Sequence, residues 1–223
     1  MSYDWQPLLL TFRLAALTTL ILFVLGIPLA YWLAFTRIRI KSVIETLVSM
    51  PLVLPPSVLG FYLLLAFSPQ YAFGHWLEQW FQIRLAFSFA GLVIGSVIFS
   101  LPFMVHPIQS ALQNLPLSLL EASRTLGKAD AVTLFRVLLP NIKPALLAGG
   151  VLSFAHTIGE FGVILMIGGN IPGVTKVASI AIYDEVESLN YAAANFYALV
   201  LFAVSFAILL TVYLVNKKWL KAG

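Results

Sequence analysis

A chain of 223 residues that is 61% hydrophobic and only 10% charged, with a mean hydropathy of +0.96, carries more apolar side chain than a soluble core can absorb, which excludes a water-soluble globular domain. The absence of cysteine excludes disulfides, thiolate metal sites and cysteine nucleophiles. A formal net charge of +4 invites a nucleic-acid reading, but the bases lie in short loops beside apolar runs, where membrane orientation explains them and no nucleic acid is needed.

The segment from Met1 to Pro7 lacks the basic region of a signal peptide, and the apolar run behind it is too long for one, so it is expected to stay in the mature protein. A hydrocarbon crossing takes about 20 apolar helical residues. Five stretches suffice: Leu14 to Phe35, Val43 to Phe67, Phe87 to Ala111, Pro144 to Ile167 and Phe196 to Val215. The bilayer core offers no water to backbone amides, and the alternation of a β-barrel is missing. The expected fold class is therefore an all-α integral membrane protein with five transmembrane helices, forming a single transmembrane domain over residues 1–223.

Basic residues set the orientation. Arg37, Arg39 and Lys41 share the first loop, Arg124, Lys128, Arg136 and Lys143 the third, and Lys217, Lys218 and Lys221 the tail, whereas only Arg13, Arg84 and Lys176 fall on the other side. The positive-inside rule then puts the third loop and the C-terminus in the cytoplasm and the N-terminus outside.

In the second span, Pro51, Pro55 and Pro56 each remove a backbone donor and are expected to kink or break the helix. The outer loop from Ser68 to Ala86 holds Tyr71, Trp76, Trp80 and Phe81, which suits an interfacial aromatic belt. The third span carries Gly91, Gly95, Ser96, Ser100, Pro102, His106 and Pro107, a composition that fits either close helix packing or the lining of a path.

Between the third and fourth spans lies a polar stretch, Glu121 to Pro140. Leu115, Leu119, Ala122 and Leu126 recur at helical spacing, and Gly127 stands where a short helix ends in a left-handed residue. Asp130 is the expected N-cap of a second short helix whose apolar side is Val132, Phe135 and Leu139, with Pro140 marking the bend into the next span. Ala122, Ser123 and Gly127 are small enough for another surface to approach. In these residues the stretch resembles the cytoplasmic loop of bacterial binding-protein-dependent ABC importer permeases: Glu-Ala-Ala, three residues, Gly, nine residues, Ile, any residue, Leu-Pro. Glu121, Ala122, Gly127, Leu139 and Pro140 match, while Ser123 replaces the second Ala and Val137 replaces Ile. The resemblance implies a type I ABC importer permease fold, with the loop over residues 115–140 docking into a separate ATP-binding subunit. Without a partner, the same stretch reads as an interfacial amphipathic helix.

In the fourth span Ser153, His156, Thr157 and Glu160 share one helical face, with Gly159 and Gly162 around the carboxylate. Polar groups at such depth usually face a bundle interior or a wet cavity. With Ser100 they are the candidate translocation path. A carboxylate repels an anion, so Glu160 is expected to bond backbone freed by the glycines, whereas Ser153 and Thr157 can donate to a substrate and His156 can do either. Beyond the turn Ile167 to Lys176, Ala178 to Glu187 and Leu189 to Asn195 read as an external or re-entrant helical segment with Asp184, Glu185 and Glu187.

Pro51 to Pro56, Thr157 to Gly162 and Gly168 to Gly173, taken with the five spans, resemble the molybdate permeases of the importer family. Sulfate and thiosulfate permeases of that family share the last two elements but are typically longer, and tungstate is close to molybdate in size and charge. The resemblance implies a homodimer in the bacterial cell membrane, surrounded by lipid, served by two ATP-binding subunits and an external molybdate-binding protein. The chain has no Gly-x-x-x-x-Gly-Lys-Ser/Thr loop, so ATP and Mg belong to the partner; no cofactor, metal site or catalytic residue is expected in this chain. The competing class is an ATP-independent channel or ion-coupled carrier, or an intramembrane enzyme built on His156 and Glu160.

Overall fold

The computed structural model describes residues 4–221, with side chains through Val212 and at Leu214. The basic tail side chains Lys217, Lys218 and Lys221 lie outside the described side chains. Among the described residues the regular structure is entirely helical: α1 (Gln6–Phe35), α2 (Lys41–Val53), α3 (Pro56–Phe67), α4 (Ala72–Phe81), α5 (Phe89–Gln113), α6 (Leu117–Thr125), α7 (Asp130–Thr133), a π turn (Leu134–Leu138), α8 (Leu139–Asn141), α9 (Lys143–Gly159), α10 (Gly162–Gly168), α11 (Ala178–Glu187) and α12 (Tyr191–Lys221). Three helices are individually long and apolar enough to cross a membrane, or five spans if each bent pair counts as one.

Two of the expected spans depart from a single rod. Residues 43–67 form α2 and α3, bent by 114° at Leu54–Pro55. Pro56 occupies the first turn of α3, where its missing N–H costs nothing, but Pro51 stays inside α2, so the break follows the Pro-Pro pair alone. The expected span 144–167 ends as a helix at Gly159 and restarts at Gly162. The pair that together satisfies the crossing criteria is instead Asp130–Asn141 with Lys143–Gly159, bent by 86°. At the chain ends, α1 starts earlier than expected, with Pro7 in its first turn, and α12 starts at Tyr191, so residues 189–195 are a turn and a helix start rather than part of an external helix. The left-handed φ of 60° at Leu189 makes that turn.

The centre is α1, α5 and α9 packed on one another. Met104 of α5 is clasped between Gly26 and Gly149: a Cβ built on Gly26 would fall 2.8 Å from Met104 Cγ, and one on Gly149 3.2 Å from Met104 O. Small residues let membrane helices approach this closely. One apolar cluster joins Leu22, Leu33, Met104, Ile108 and Leu112 to Leu120, Leu134 and Leu138 of the polar loop, so the loop is packed onto the bundle instead of hanging from it. A second, at the other end, joins Leu14, Phe67, Leu92, Val163, Ile167 and Ile180. Of the aromatic residues in the 68–86 segment, Tyr71 precedes α4 and Trp76, Trp80 and Phe81 lie on it, all four exposed.

Candidate functional site

Two places carry the sequence's candidate residues. At the loop, α6 ends as expected. Leu126 N–H and Gly127 N–H bond Ala122 O and Arg124 O, Lys128 N–H reaches Ser123 O at 3.1 Å, and Gly127 has φ +67°, a Schellman turn that satisfies the carbonyls a helix end leaves free. A Cβ built on Gly127 meets nothing within 4 Å, so this corner is open.

The rest of the loop differs from expectation in which side faces in. The buried face of α6 is Leu120 and Ser123, while Ala122 and Leu126 point out. Ser123 is 5% exposed and shares a 2.6 Å hydrogen bond with the Thr133 hydroxyl, so it ties α6 to α7 and is not available to an approaching surface. Ala129, not Asp130, is the N-cap of α7; Asp130 begins the helix, where its charge still suits the positive helix end, and its carboxylate lies 3.9 Å from Arg124. Thr133, Leu134 and Leu138 are buried, whereas Val132 and Phe135 face outward and Leu139 and Val137 are half-buried. The face is set before the π turn begins: Thr133, bonded to Ser123, and Leu134 turn inward, which leaves Val132 and Phe135 outward. The outward surface thus combines Leu126 at 73% exposure and Phe135 at 62% with the small Ala122 and Gly127, the charged Glu121, Arg124, Lys128 and Arg136, and Pro140 at the bend.

Inside the bundle, the two helix interruptions meet. A Cβ on Gly162 would lie 2.7 Å from Pro56 Cβ, so α3 and α10 begin against each other. Beside this junction is a cavity of about 630 Å³, lined by Pro56, Ser57, Phe99, His156, Glu160 and Gly162, among others. At the start of α3 Pro56 has no N–H and Val58 and Leu59 N–H both bond Pro55 O, so Ser57, with its N–H and hydroxyl, is the donor this helix start brings to the lining. Ser57 escaped the sequence reading; the available signal was the Pro55-Pro56 pair, which makes the next residue the second of a new helix.

Of the path candidates, His156 and Glu160 line the cavity. Ser100, Ser153 and Thr157 are fully or almost fully buried. Thr157 donates to Ser153 O at 2.8 Å, which leaves Ser100 to donate to Thr157 Oγ1 (3.1 Å) and His156 to donate from Nδ1 to Ser100 Oγ (3.0 Å). The Ser100 and Thr157 hydroxyl protons are therefore spent within the protein, whereas the Ser153 hydroxyl has no partner among the described residues. The His156 ring is held between Phe103, stacked at 4.1 Å, and Phe99 at 4.8 Å. Glu160 does not continue the α9 face; it caps that helix, in extended conformation, with 4% exposure. Its Oε1 accepts from Val163 N–H at 3.0 Å and its backbone O from Ser179 Oγ at 2.6 Å, so it holds the start of α10, while Oε2 has no partner.

On the far side, Lys176 and Asn170 both donate to Asp184, at 2.5 and 2.6 Å. Partial burial acts to raise the Asp184 pKa, but these two bonds prevail and hold it below the usual value. Tyr183 bonds Glu187, which pushes its phenol up, and Asn190 bonds Glu185. The acidic groups of α11 are thus engaged locally. Among the described residues no cluster suited to a metal ion occurs.

Comparison with known proteins agrees with this architecture. Residues 26–221 match the family described as binding-protein-dependent transport system inner membrane component. Molybdenum transport system permease protein ModB of Azotobacter vinelandii is 45% identical over 100% of this chain and 97% of its own length. Its namesake from Escherichia coli (strain K12) is 35% identical over 83% of this chain and 81% of its own, and the sulfate transport system permease protein CysT of that organism is 33% identical over 85% and 68%. In fold, the chain is similar to a chain of the MetNI methionine ABC transporter in an inward facing conformation (TM-score 0.71, 17% identity, 95% of this chain and 94% of that one) and to one of a bacterial alginate ABC transporter (TM-score 0.77, 17% identity, 96% and 78%). By its residues and by its fold, the chain belongs to the family of binding-protein-dependent transport system inner membrane components.

Proposed function

We propose that this chain is the transmembrane subunit of an ATP-driven molybdate importer in a bacterial cell membrane. It would act as a homodimer with two ATP-binding subunits against the loop of residues 115–140 and an external molybdate-binding protein on the opposite face, the N-terminus lying outside and the C-terminus inside. The observation that carries the reading is the loop: a knob packed onto the bundle by Leu120, Leu134 and Leu138, yet presenting Leu126, Phe135 and an open left-handed glycine corner outward. Exposed apolar side chains around small residues fit a groove on a partner. Full-length similarity to molybdenum permeases supports the substrate. Similarity to a sulfate permease keeps sulfate as the second reading, with thiosulfate and tungstate in the same chemical class.

A dianion does not enter hydrocarbon, so its path must be hydrated or lined with donors. Around the cavity at the two interruptions, the start of α3 with Ser57 supplies donors. His156, with Nδ1–H committed to Ser100, has an acceptor at Nε2 when neutral and donates to an anion from there only as imidazolium. The Ser100 and Thr157 hydroxyls hold this wall in place, and Oε1 of Glu160 is engaged at the α10 start. ATP and Mg would be bound by the partner alone, and closure of the partner subunits would move the loop, and through it α5 and α9, to open the cavity to alternate sides.

The test is reconstitution in vesicles with the partner ATPase and the binding protein. Molybdate uptake is expected to require ATP and to exceed sulfate uptake, and Gly127→Trp is expected to lower uptake by at least about tenfold, with α6 still helical, because a bulky side chain is forced into a left-handed residue on the docking corner. Uptake without nucleotide, or undiminished by the tryptophan, would sink the reading.

A further inference from the structure

The loop is continuous with α5, but the cavity is bordered by α3, which follows α2. Between α2 and α5 lies a polar seam. Gln109 of α5, 8% exposed, donates from Nε2 to Glu45 Oε1 at 2.6 Å. One turn along, Ser49 Oγ donates to Glu45 O at 2.8 Å and lies 3.1 Å from His106 Nε2; with the hydroxyl proton spent, His106 donates from Nε2. Lys41 Nζ, 3.8 Å from Glu45 Oε1, steadies the carboxylate. Between the two bonds Val48 is buried in the cluster of Met104, Val105, Ile108 and Leu112.

Apart from Val48, Pro51 and the half-buried Ile44, the apolar side chains of α2 are exposed, Val43, Leu47, Met50, Leu52 and Val53 among them, and α5 is the helix it packs on most. An apolar contact alone lets one helix slide along another at little cost, whereas a hydrogen bond weakens steeply with displacement and misalignment. A shift by one residue is 1.5 Å, enough to break both bonds. Polar pairs at two successive turns therefore fix α2 to α5 along the axis as well as sideways.

We propose that Glu45, Ser49, His106 and Gln109 are positioning residues that make α2 travel with α5, so that displacement of the loop reaches the bend at Leu54–Pro55 and the cavity beyond it. The proposal rests on the importer reading above. Its test uses the reconstituted transporter with its ATPase and binding protein, reading molybdate taken up per ATP hydrolysed. Gln109→Leu keeps the volume and removes the donor; uptake per ATP is expected to fall about tenfold with ATP hydrolysis retained, the scale of one lost bond to a charged group. A second pair of variants does not depend on how Gln109→Leu folds: His106→Gln keeps a donor toward Ser49 and is expected to work within about twofold of the unaltered transporter, whereas His106→Leu is expected to lose several-fold, the scale of one neutral hydrogen bond. Equal uptake per ATP in the two His106 variants, or an unchanged ratio in Gln109→Leu, would overturn the proposal. If the unaltered complex takes up the anion without ATP, the importer reading falls first; if only the variants fail to differ, the seam alone is refuted.

Discussion

The two interrupted spans meet at one cavity but are interrupted for different reasons. Between α2 and α3 the chain itself forbids continuation: Pro55 and Pro56 lack N–H donors, and the residue before a proline is pushed toward extended geometry, as Leu54 is with ψ 135°. Between α9 and α10 the residues that depart from the helix are Glu160 and Phe161, neither of which forbids a helix. There the break combines a local cap, Glu160 Oε1 on Val163 N–H, with holds from outside, Ser179 on Glu160 O and Pro56 against Gly162. One break is written in covalent geometry and the other in tertiary contacts, so single substitutions should be tolerated at the first and felt at the second.

The largest effect is expected at Gly162. Leucine there must displace the ring of Pro56, whose Cβ stands 2.7 Å from the new Cβ, and overpacking of this kind costs about 1–3 kcal/mol. At the few degrees per kcal/mol usual for a chain of this size, the thermal midpoint in detergent should fall by up to about 10 °C and uptake should fall with it. A midpoint within a degree of the unaltered protein would mean that the two helix starts are not packed as described. Next comes Glu160→Ala, which strips the α10 start of its acceptor for about 1–2 kcal/mol, against less than half of that for Glu160→Gln, which keeps an oxygen in place. Equal losses in the two variants would assign the cost to the carboxylate's charge and not to the cap. The smallest effect is expected from Pro56→Ala, about 1 kcal/mol or less, because Pro55 still enforces the bend and Pro56 sits where a helix tolerates proline. A loss as large as that at Gly162 would erase the contrast between the breaks.

The same contrast explains what the sequence made legible. Membrane character, the break in the second span and the Gly127 turn were readable because each depends on residues adjacent in the chain: apolar runs of sufficient length, Pro55-Pro56, and a glycine behind a short helix. The position of the break at Glu160 and the inward turn of Ser123 were not, because each is decided by a contact between residues apart in the chain, with Pro56 and Ser179 for the first and Thr133 for the second. The face of α7 was misplaced because Thr133, a polar residue, is the one drawn inward, by its bond to Ser123. For the path, helical spacing did gather Ser153, His156 and Thr157 on one side, but spacing does not show where a hydroxyl proton goes. Ser57 and the Glu45–Gln109 seam went unnoticed for a related reason: serine, glutamate and glutamine at helix positions look ordinary until a neighbour is in place.

The clasp of Gly26 and Gly149 on Met104 has its own bearing on motion. Methionine is unbranched and its thioether adapts to irregular space, so it can swivel while staying in van der Waals contact. Should the rods rock against one another at the crossing of α1, α5 and α9, this side chain can follow them without opening a void, so compliance would sit at the middle while the α2–α5 seam stays stiff.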